Sequence, residues 1–380
     1  MFMKRIALLS CIIALILPGK AYGRLGYIDK TGKVAITLSK EIAWAGAFDE
    51  SGLAAVNVGG RVTEHQSFDG GKWGFIDRSG KLVIPLKFDR VRAFHEGMCA
   101  VAIGTKWGFI DRTGKIRIAP KFFTARDFSD GLASVGFNWD RQLFIDKTGK
   151  TVISDKFGGW SSFSEGLAWV FVPTKGVNWQ KTGYIDRTGK LVIKPRFAEA
   201  EGFSEGLARM TIRERHGGTI RDLYGYIDKH GKVVIPLNTE AGESFSEGRA
   251  AFPHKGKWGY IDRRGRFVIK PRFDWCLGFS EGLALVQYRK SGKLRYAYVD
   301  TAGRLTLPPT KAQQCATFSE GLAAFRVGAR TDPSYPIPLG GKWGFIDKKG
   351  KIVIEPRFPD FLQSPSHFHH GLAAVSIDQQ

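Results

Sequence analysis

Few residues in this chain have the types and spacing that chemistry requires. The densest polar cluster is His367-Phe368-His369-His370, and close imidazoles bind transition metals. No Cys or acid is spaced nearby to complete a ligand set, so these histidines read as the surface of a terminal unit and no metal or cofactor is expected. Glu199, Glu201 and Glu214 are the carboxylates a hydrolase would use, provided that they converge in one cleft. No Gly-x-Ser-x-Gly elbow, phosphate loop or zinc-protease helix is present, and the chain reads as non-enzymatic. Trp160, Trp169 and Trp179, with Trp139 just before them, have the makings of a platform for sugar rings or quaternary amines, although core packing is favoured.

The elements that must position these residues come from a repeat. Gly-Phe-Ile-Asp-x-Thr-Gly-Lys recurs with its Asp at Asp29, Asp77, Asp111, Asp146, Asp186, Asp228, Asp262, Asp300 and Asp347. Phe-Ser-Glu-Gly-Leu-Ala alternates with it, its Phe at Phe48, Phe94, Phe128, Phe163, Phe203, Phe245, Phe279, Phe318 and Phe368. From Asp to Phe is 17 residues in six of nine units, whereas Phe to the next Asp varies from 17 to 29. Insertions confined to one position lie along one edge of a repeat array, and the Pro-rich Thr331–Leu339 insertion is a candidate contact loop there.

In Asp-x-Thr-Gly, the Asp side chain accepts backbone N–H groups two residues on and the Gly supplies a positive φ. The pairs Asp77 and Gly80, Asp111 and Gly114, and Asp262 and Gly265 therefore read as structural turns, not as catalytic or metal-binding carboxylates. Each unit predicts three short strands, such as 106–110, 115–118 and 132–135, with Phe197 and Phe203 bracketing a crossover and forming inter-unit core. One unit cannot bury such a face alone, so neighbours must stack. The expected fold is all-β: an elongated, stacked array of nine units, with a closed propeller as the alternative.

Lys72-Trp73-Gly74-Phe75-Ile76-Asp77, Lys106-Trp107-Gly108, Lys257-Trp258-Gly259 and Lys342-Trp343-Gly344 resemble the WG repeat family. Leu25, Gln142, Thr182, Tyr224 and Tyr296 replace the Trp, and Leu143 and Ala297 replace the Gly. The resemblance implies β-rich tandem repeats, often exported from bacteria, with no established catalytic residues.

Export is also expected from residues 1–23. Lys4 and Arg5 precede an apolar run from Ile6 to Leu17, and Ala21-Tyr22-Gly23 provides a small-residue exit, the pattern of a signal peptide. Residues 24–380 then form the repeat array, with no further stretch apolar enough to cross a bilayer as a helix, in a periplasm or outside the cell. In that oxidising setting Cys276 and Cys315, each three residues before the Phe of consecutive units, are expected to pair as a disulfide if units stack. In a propeller the two would stand too far apart. Cys99 reads as a small buried residue.

The formal net charge is +21. The residue after each turn Gly is basic: Lys33, Lys81, Lys115, Lys150, Lys190, Lys232, Arg266, Arg304 and Lys351. The residue after the turn Asp is basic in eight units, Thr301 being the exception. In-register stacking makes these a basic stripe, offset in part by pairing with Glu96, Glu165, Glu205, Glu247, Glu281 and Glu320. The function expected is a binding scaffold for a protein or an envelope polymer, the latter anionic or a polysaccharide. Its contacts would come from the basic residues together with Trp73, Trp107, Trp258 and Trp343. Nucleic acid is disfavoured, because the chain carries no recognised nucleic-acid module.

Overall fold

Ser-Glu-Gly-Leu closes a two-residue β-hairpin. In blade four, Ser164 and Leu167 exchange both backbone hydrogen bonds at 2.9 and 3.2 Å, and the central residues Glu165 and Gly166 take φ of 54° and 86°. Positive φ at both centres is a type I′ turn, whose twist matches that of the strands it joins. Ser129–Leu132, Ser204–Leu207, Ser246–Arg249, Ser319–Leu322 and His369–Leu372 repeat the arrangement. The segment between Phe197 and Phe203, read from sequence as a crossover, holds a further short strand, Glu199–Ala200, the first of its sheet, and the tight hairpin follows the Phe.

The computed structural model describes residues 24–62, 68–138, 142–154, 157–172, 181–216, 219–306, 308, 312–330, 340–359 and 365–377. Among them every regular element is a strand, and the strands form nine antiparallel sheets. Blades are counted in chain order, blade one running from Ile42–Phe48 to Leu82–Phe88 and blades four and five covering 159–197 and 199–238. Blade two is typical, with Arg90–His95, Met98–Ile103, Lys106–Asp111 and Ile116–Phe122 pairing in chain order. The last blade is composite, since Leu372–Ile377 pairs with Arg24–Asp29, which pairs with Val34–Thr37. The two ends of the described chain thus share one sheet, and the array is a closed nine-bladed propeller. The elongated stack expected first gives way because this shared blade leaves neither end with an unpartnered apolar face.

Nine aromatic pairs run around the ring. The third-strand aromatic of each blade meets the hairpin Phe of the next: Phe75–Phe94, Phe109–Phe128, Phe144–Phe163, Tyr184–Phe203, Tyr226–Phe245, Tyr260–Phe279, Tyr298–Phe318, Phe345–Phe368 and Tyr27–Phe48. Centroids lie 4.7 to 5.3 Å apart, within the range for tilted and edge-to-face contact. Where the ring is Tyr, its hydroxyl donates to the backbone carbonyl two residues before the hairpin Phe of the next blade, as Tyr184 does to Glu201 at 2.7 Å. Each seam has its own core; Phe109, Ile118 and Phe122 of blade two, for example, pack on Phe128, Val135 and Ile145 of blade three.

The Gly of Trp-Gly answers to a bulge. Trp107 faces Phe122 and Phe109 faces Ile118, so the fourth strand carries extra residues between two pairs. Its backbone bows toward Gly108, where a Cβ would lie 2.4 Å from the Ile118 oxygen. The equivalent distance is 2.5 Å at Gly74, 2.4 Å at Gly259 and 2.5 Å at Gly344.

Candidate functional site

In an antiparallel four-stranded meander, the first and third hairpins emerge at one end and the second at the other. One face of the ring therefore carries every Ser-Glu-Gly and every Asp-x-x-Gly hairpin. The opposite face carries the second hairpins, where the insertions extend ribbons such as Leu207–His216 with Thr219–Asp228. Thr331–Leu339 lies outside the described residues.

On the hairpin face each turn is built alike. Asp111 Oδ1 accepts the Thr113 N–H at 2.9 Å, the Thr113 hydroxyl at 2.6 Å and the Lys115 N–H at 3.2 Å, while Gly114 takes φ 80°. The Thr113 hydroxyl is the largest influence, and with the two backbone donors and Arg117 it outweighs desolvation and holds the Asp111 carboxyl down at about 2. Asp77–Gly80 repeats all three contacts through Ser79, whereas Asp262–Gly265 keeps the two backbone donors and has Arg264 in place of the hydroxyl residue.

The basic residues on this face divide into two sets. Four of the eight after the turn Asp pair with the preceding blade: Lys147 with Glu96 at 3.2 Å, Lys229 with Glu165 at 3.1 Å, Lys348 with Glu281 at 3.2 Å and Lys30 with Glu320 at 3.1 Å. The same carboxylates reach forward, Glu281 accepting the Gly321 N–H and Glu320 the Gly371 N–H, both at 2.9 Å. Burial opposes ionisation of Glu165, Glu281 and Glu320, but the lysine and backbone donors outweigh it and hold these acids below the usual range. Sequence pattern did not reveal this forward contact; its signal was the acid recurring beside Gly at a hairpin centre. At the last junction His370 replaces the acid and Nε2 meets the Asp49 carbonyl at 2.9 Å. Among the described residues no group of three or more His, Cys, Asp or Glu side chains gathers as a metal site.

The second set behaves differently. Arg266 and Arg304 fold back on their own turn aspartates, Asp262 and Asp300. Lys33, Lys81, Lys115, Lys150, Lys190, Lys232 and Lys351 are exposed and form no ion pair among the described residues. The basic stripe expected from sequence is thus a circle in which four lysines pair across seams, two arginines pair with their own turns, and seven lysines form no ion pair among the described residues.

The Trp candidates do not converge. Trp73, Trp107, Trp258 and Trp343 sit one per blade, each opposite a fourth-strand Phe: Phe88, Phe122, Phe273 and Phe358. Trp343 is buried beneath the Arg326 guanidinium. Trp160 lies in the short strand Gly159–Trp160, and Trp179 lies outside the described residues. Trp169 is half-buried and lines a cleft of about 260 Å³ with Phe171, Glu199, Ala200, Glu201, Arg209 and Thr211. Two of the three carboxylates singled out from sequence therefore share one cleft, whereas Glu214 stands on the exposed ribbon beyond it.

The expected disulfide is absent, since Cys276, Cys315 and Cys99 are all unbonded and buried. Cys276 sits in the seam between blades six and seven, Cys315 in the next seam, and an entire sheet separates them.

Comparison with known proteins follows this geometry. A eukaryotic initiation factor superimposes with a TM-score of 0.57 at 10% identity, over 93% of this chain and 98% of that one. BamB from Moraxella catarrhalis gives 0.39 at 11% identity, over 75% of this chain and 95% of that one. The β-propeller domain of the Trilobed protease from Pyrococcus furiosus gives 0.36 at 10% identity, over 68% and 93%. The first shares the fold, and the other two are too distant to carry an argument. No curated protein sequence matches. The model of the WG containing repeat matches residues 26–61, 73–107, 107–138, 144–172, 183–214, 224–258, 258–290 and 343–379. Repeats that cover most of the chain and supply the blades of one ring place it in a single family: the protein belongs to the WG containing repeat family.

Proposed function

We propose that this WG-repeat propeller is an exported, non-enzymatic scaffold that docks an anionic envelope polymer on its hairpin face. The observation that carries this reading is the circle of seven lysines that form no ion pair among the described residues, on the same face where four neighbouring lysines are paired with seam glutamates. Unpaired like charges on one rim raise the local concentration of a polyanion and bind it through many weak contacts. The segment before Arg24 supports export by its basic start, apolar run and small-residue exit. Support for a non-catalytic role comes from Glu201, whose two oxygens are engaged by Arg209 and the Ser244 hydroxyl.

The test is binding to dextran sulfate, with neutral dextran as control, across a salt titration. The scaffold reading expects dextran sulfate alone to bind and affinity to fall steeply with salt. Replacing Lys81, Lys115, Lys150, Lys190 and Lys232 together by Ala should remove most of that binding. Unchanged affinity in that variant refutes the reading.

A further inference from the structure

In a ring of repeats, residues that hold the fold together recur, and residues serving a single site break the pattern. The sixth residue after the hairpin Phe is Ala54, Ala100, Ser134, Ala251, Leu285, Ala324 and Ala374 in seven blades, all buried. In the two remaining blades, which are adjacent, it is Trp169 and Arg209, and both line the cleft described above. The fourth residue before the Phe is Glu only at Glu199, and its counterparts include Trp44, Arg90, Thr124, Gly159, Ala241, Trp275 and Gln314. The eighth residue after the Phe is the bulky aromatic Phe171 only in blade four. Four departures from the repeat thus meet in one place.

The cleft is apolar on one wall and acidic on the other. Trp169 and Phe171 lie with ring centroids 5.1 Å apart at 57°. Across from them, Glu199 pairs with Thr211 in the strand ladder. The Arg209 guanidinium is matched by Glu201, whose other oxygen takes the Ser244 hydroxyl at 3.2 Å. Glu199 is not matched in this way. Its carboxylate is 69% exposed and its contact with Arg213 is a long 3.8 Å. Arg213 is already committed to Asp222 through hydrogen bonds of 2.7 and 3.0 Å. Locally this strongly basic chain thus presents an aromatic wall, one balanced ion pair and one under-compensated carboxylate. Glu199 and Phe171 occupy the strand ends remote from the hairpins, so the cleft opens away from the lysine circle.

We infer that this cleft is a binding site for an ammonium group, quaternary or protonated, carried by a small molecule or a side chain. A cation over Trp169 and Phe171 is attracted by the negative faces of the rings, and Glu199 supplies the opposite charge. A neutral sugar would use the aromatic wall and leave Glu199 without a counter-charge. A volume near 260 Å³ lies below the range of drug-sized pockets and suits one headgroup.

The experiment is calorimetric titration of the full chain with choline, with Nα-acetyl-lysine amide, and with 3,3-dimethylbutanol, the uncharged shape-mimic of choline. N-acetylglucosamine is the sugar control. Choline or the lysine amide should bind at millimolar concentration or better, and the preferred one distinguishes a quaternary headgroup from a side-chain amine. The neutral mimic should bind at least tenfold more weakly. Trp169→Ala installs the residue that five other blades carry at this position, so the fold should tolerate it, and circular dichroism checks this. The substitution should weaken binding roughly 3- to 30-fold. Glu199→Gln changes only an exposed side chain and should weaken it by a similar factor. Neither variant should alter dextran sulfate binding. The inference fails if neither ammonium probe binds, if the neutral mimic or the sugar binds as well as choline, or if both variants bind like the parent.

Discussion

Gly108→Ala tests the physical meaning of the Trp-Gly signature. Gly108 has no positive φ, so the added methyl is judged on space alone. That space is taken: the new Cβ would stand 2.4 Å from the Ile118 oxygen, 2.7 Å from the Pro120 nitrogen and 2.9 Å from the Ala119 carbonyl carbon. All three are backbone atoms, so relief requires the strand Ile116–Phe122 to move away by about 1 Å, well beyond what a close-packed interior absorbs for free. The Trp107–Phe122 pair then opens, and Phe122, now 1% exposed, leaves the seam with blade three. Losing most of that burial costs about 2 kcal/mol. Two ladder hydrogen bonds add about 1 kcal/mol each at most, and the lower chain entropy of Ala returns under about 1 kcal/mol. The net expectation is a loss of about 3 kcal/mol, concentrated locally. Two blades already carry side chains at the equivalent position. These are Leu143 and Ala297, whose described fourth-strand neighbours are Thr151–Ile153 and Leu305–Thr306. The assay is amide hydrogen exchange of residues 116–122, supported by urea unfolding. Gly97→Ala is the control, because φ there is 81° and the space is open. It should cost roughly 1–2 kcal/mol without releasing the 116–122 amides. Wild-type exchange in Gly108→Ala, with stability changed by less than about 1 kcal/mol, refutes the reasoning.

Two further predictions concern titratable groups. Asp111 is held at about 2, below its unfolded value, so its ionised form favours the folded state. That contribution is complete above about pH 4 and is lost as pH falls toward 2. Carboxyl NMR should give a midpoint near 2 for Asp111 that rises in Thr113→Val, and a midpoint near 4 in the parent refutes the turn analysis. Burial pushes the Cys276 and Cys315 thiols up to about 12, so both stay protonated near neutrality. Cys99, Cys276 and Cys315 should resist a thiol reagent at pH 8 until denaturant is added, and fast labelling of Cys276 or Cys315 in the native protein would contradict their placement in the seams.

The turns were legible because their determinants are local. Asp77, Gly80 and their equivalents act within five residues, and the Phe recurrence announced seams that no unit could bury alone. The first strand of each blade was not legible for a related reason. As Thr124–Ala125, Glu199–Ala200 or Gln314–Cys315 it spans two residues, too short for alternation to register. Closure could be offered only as the alternative to an open stack because it depends on accumulated twist between blades, and no single repeat encodes the angle that brings Arg24–Asp29 beside Leu372–Ile377. The Cys276–Cys315 expectation failed with it, since equivalence along a stack means adjacency, whereas in a ring it means the width of a sheet.

Closure also changes what a repeat-breaking residue signifies. In an open stack, terminal units are expected to be irregular because they cap exposed faces. A ring has no such ends, and even the composite blade keeps its seam pairs Phe345–Phe368 and Tyr27–Phe48. His370 departs from the acid of the other hairpins, yet it still hydrogen-bonds across the junction to Asp49, so its irregularity is structural. Trp169, Phe171, Glu199 and Arg209 sit in the middle of the chain, at seams that elsewhere need only alanine and other residues of no shared type. Capping does not explain them, and their convergence on one cleft makes blades four and five the first place to look for a ligand.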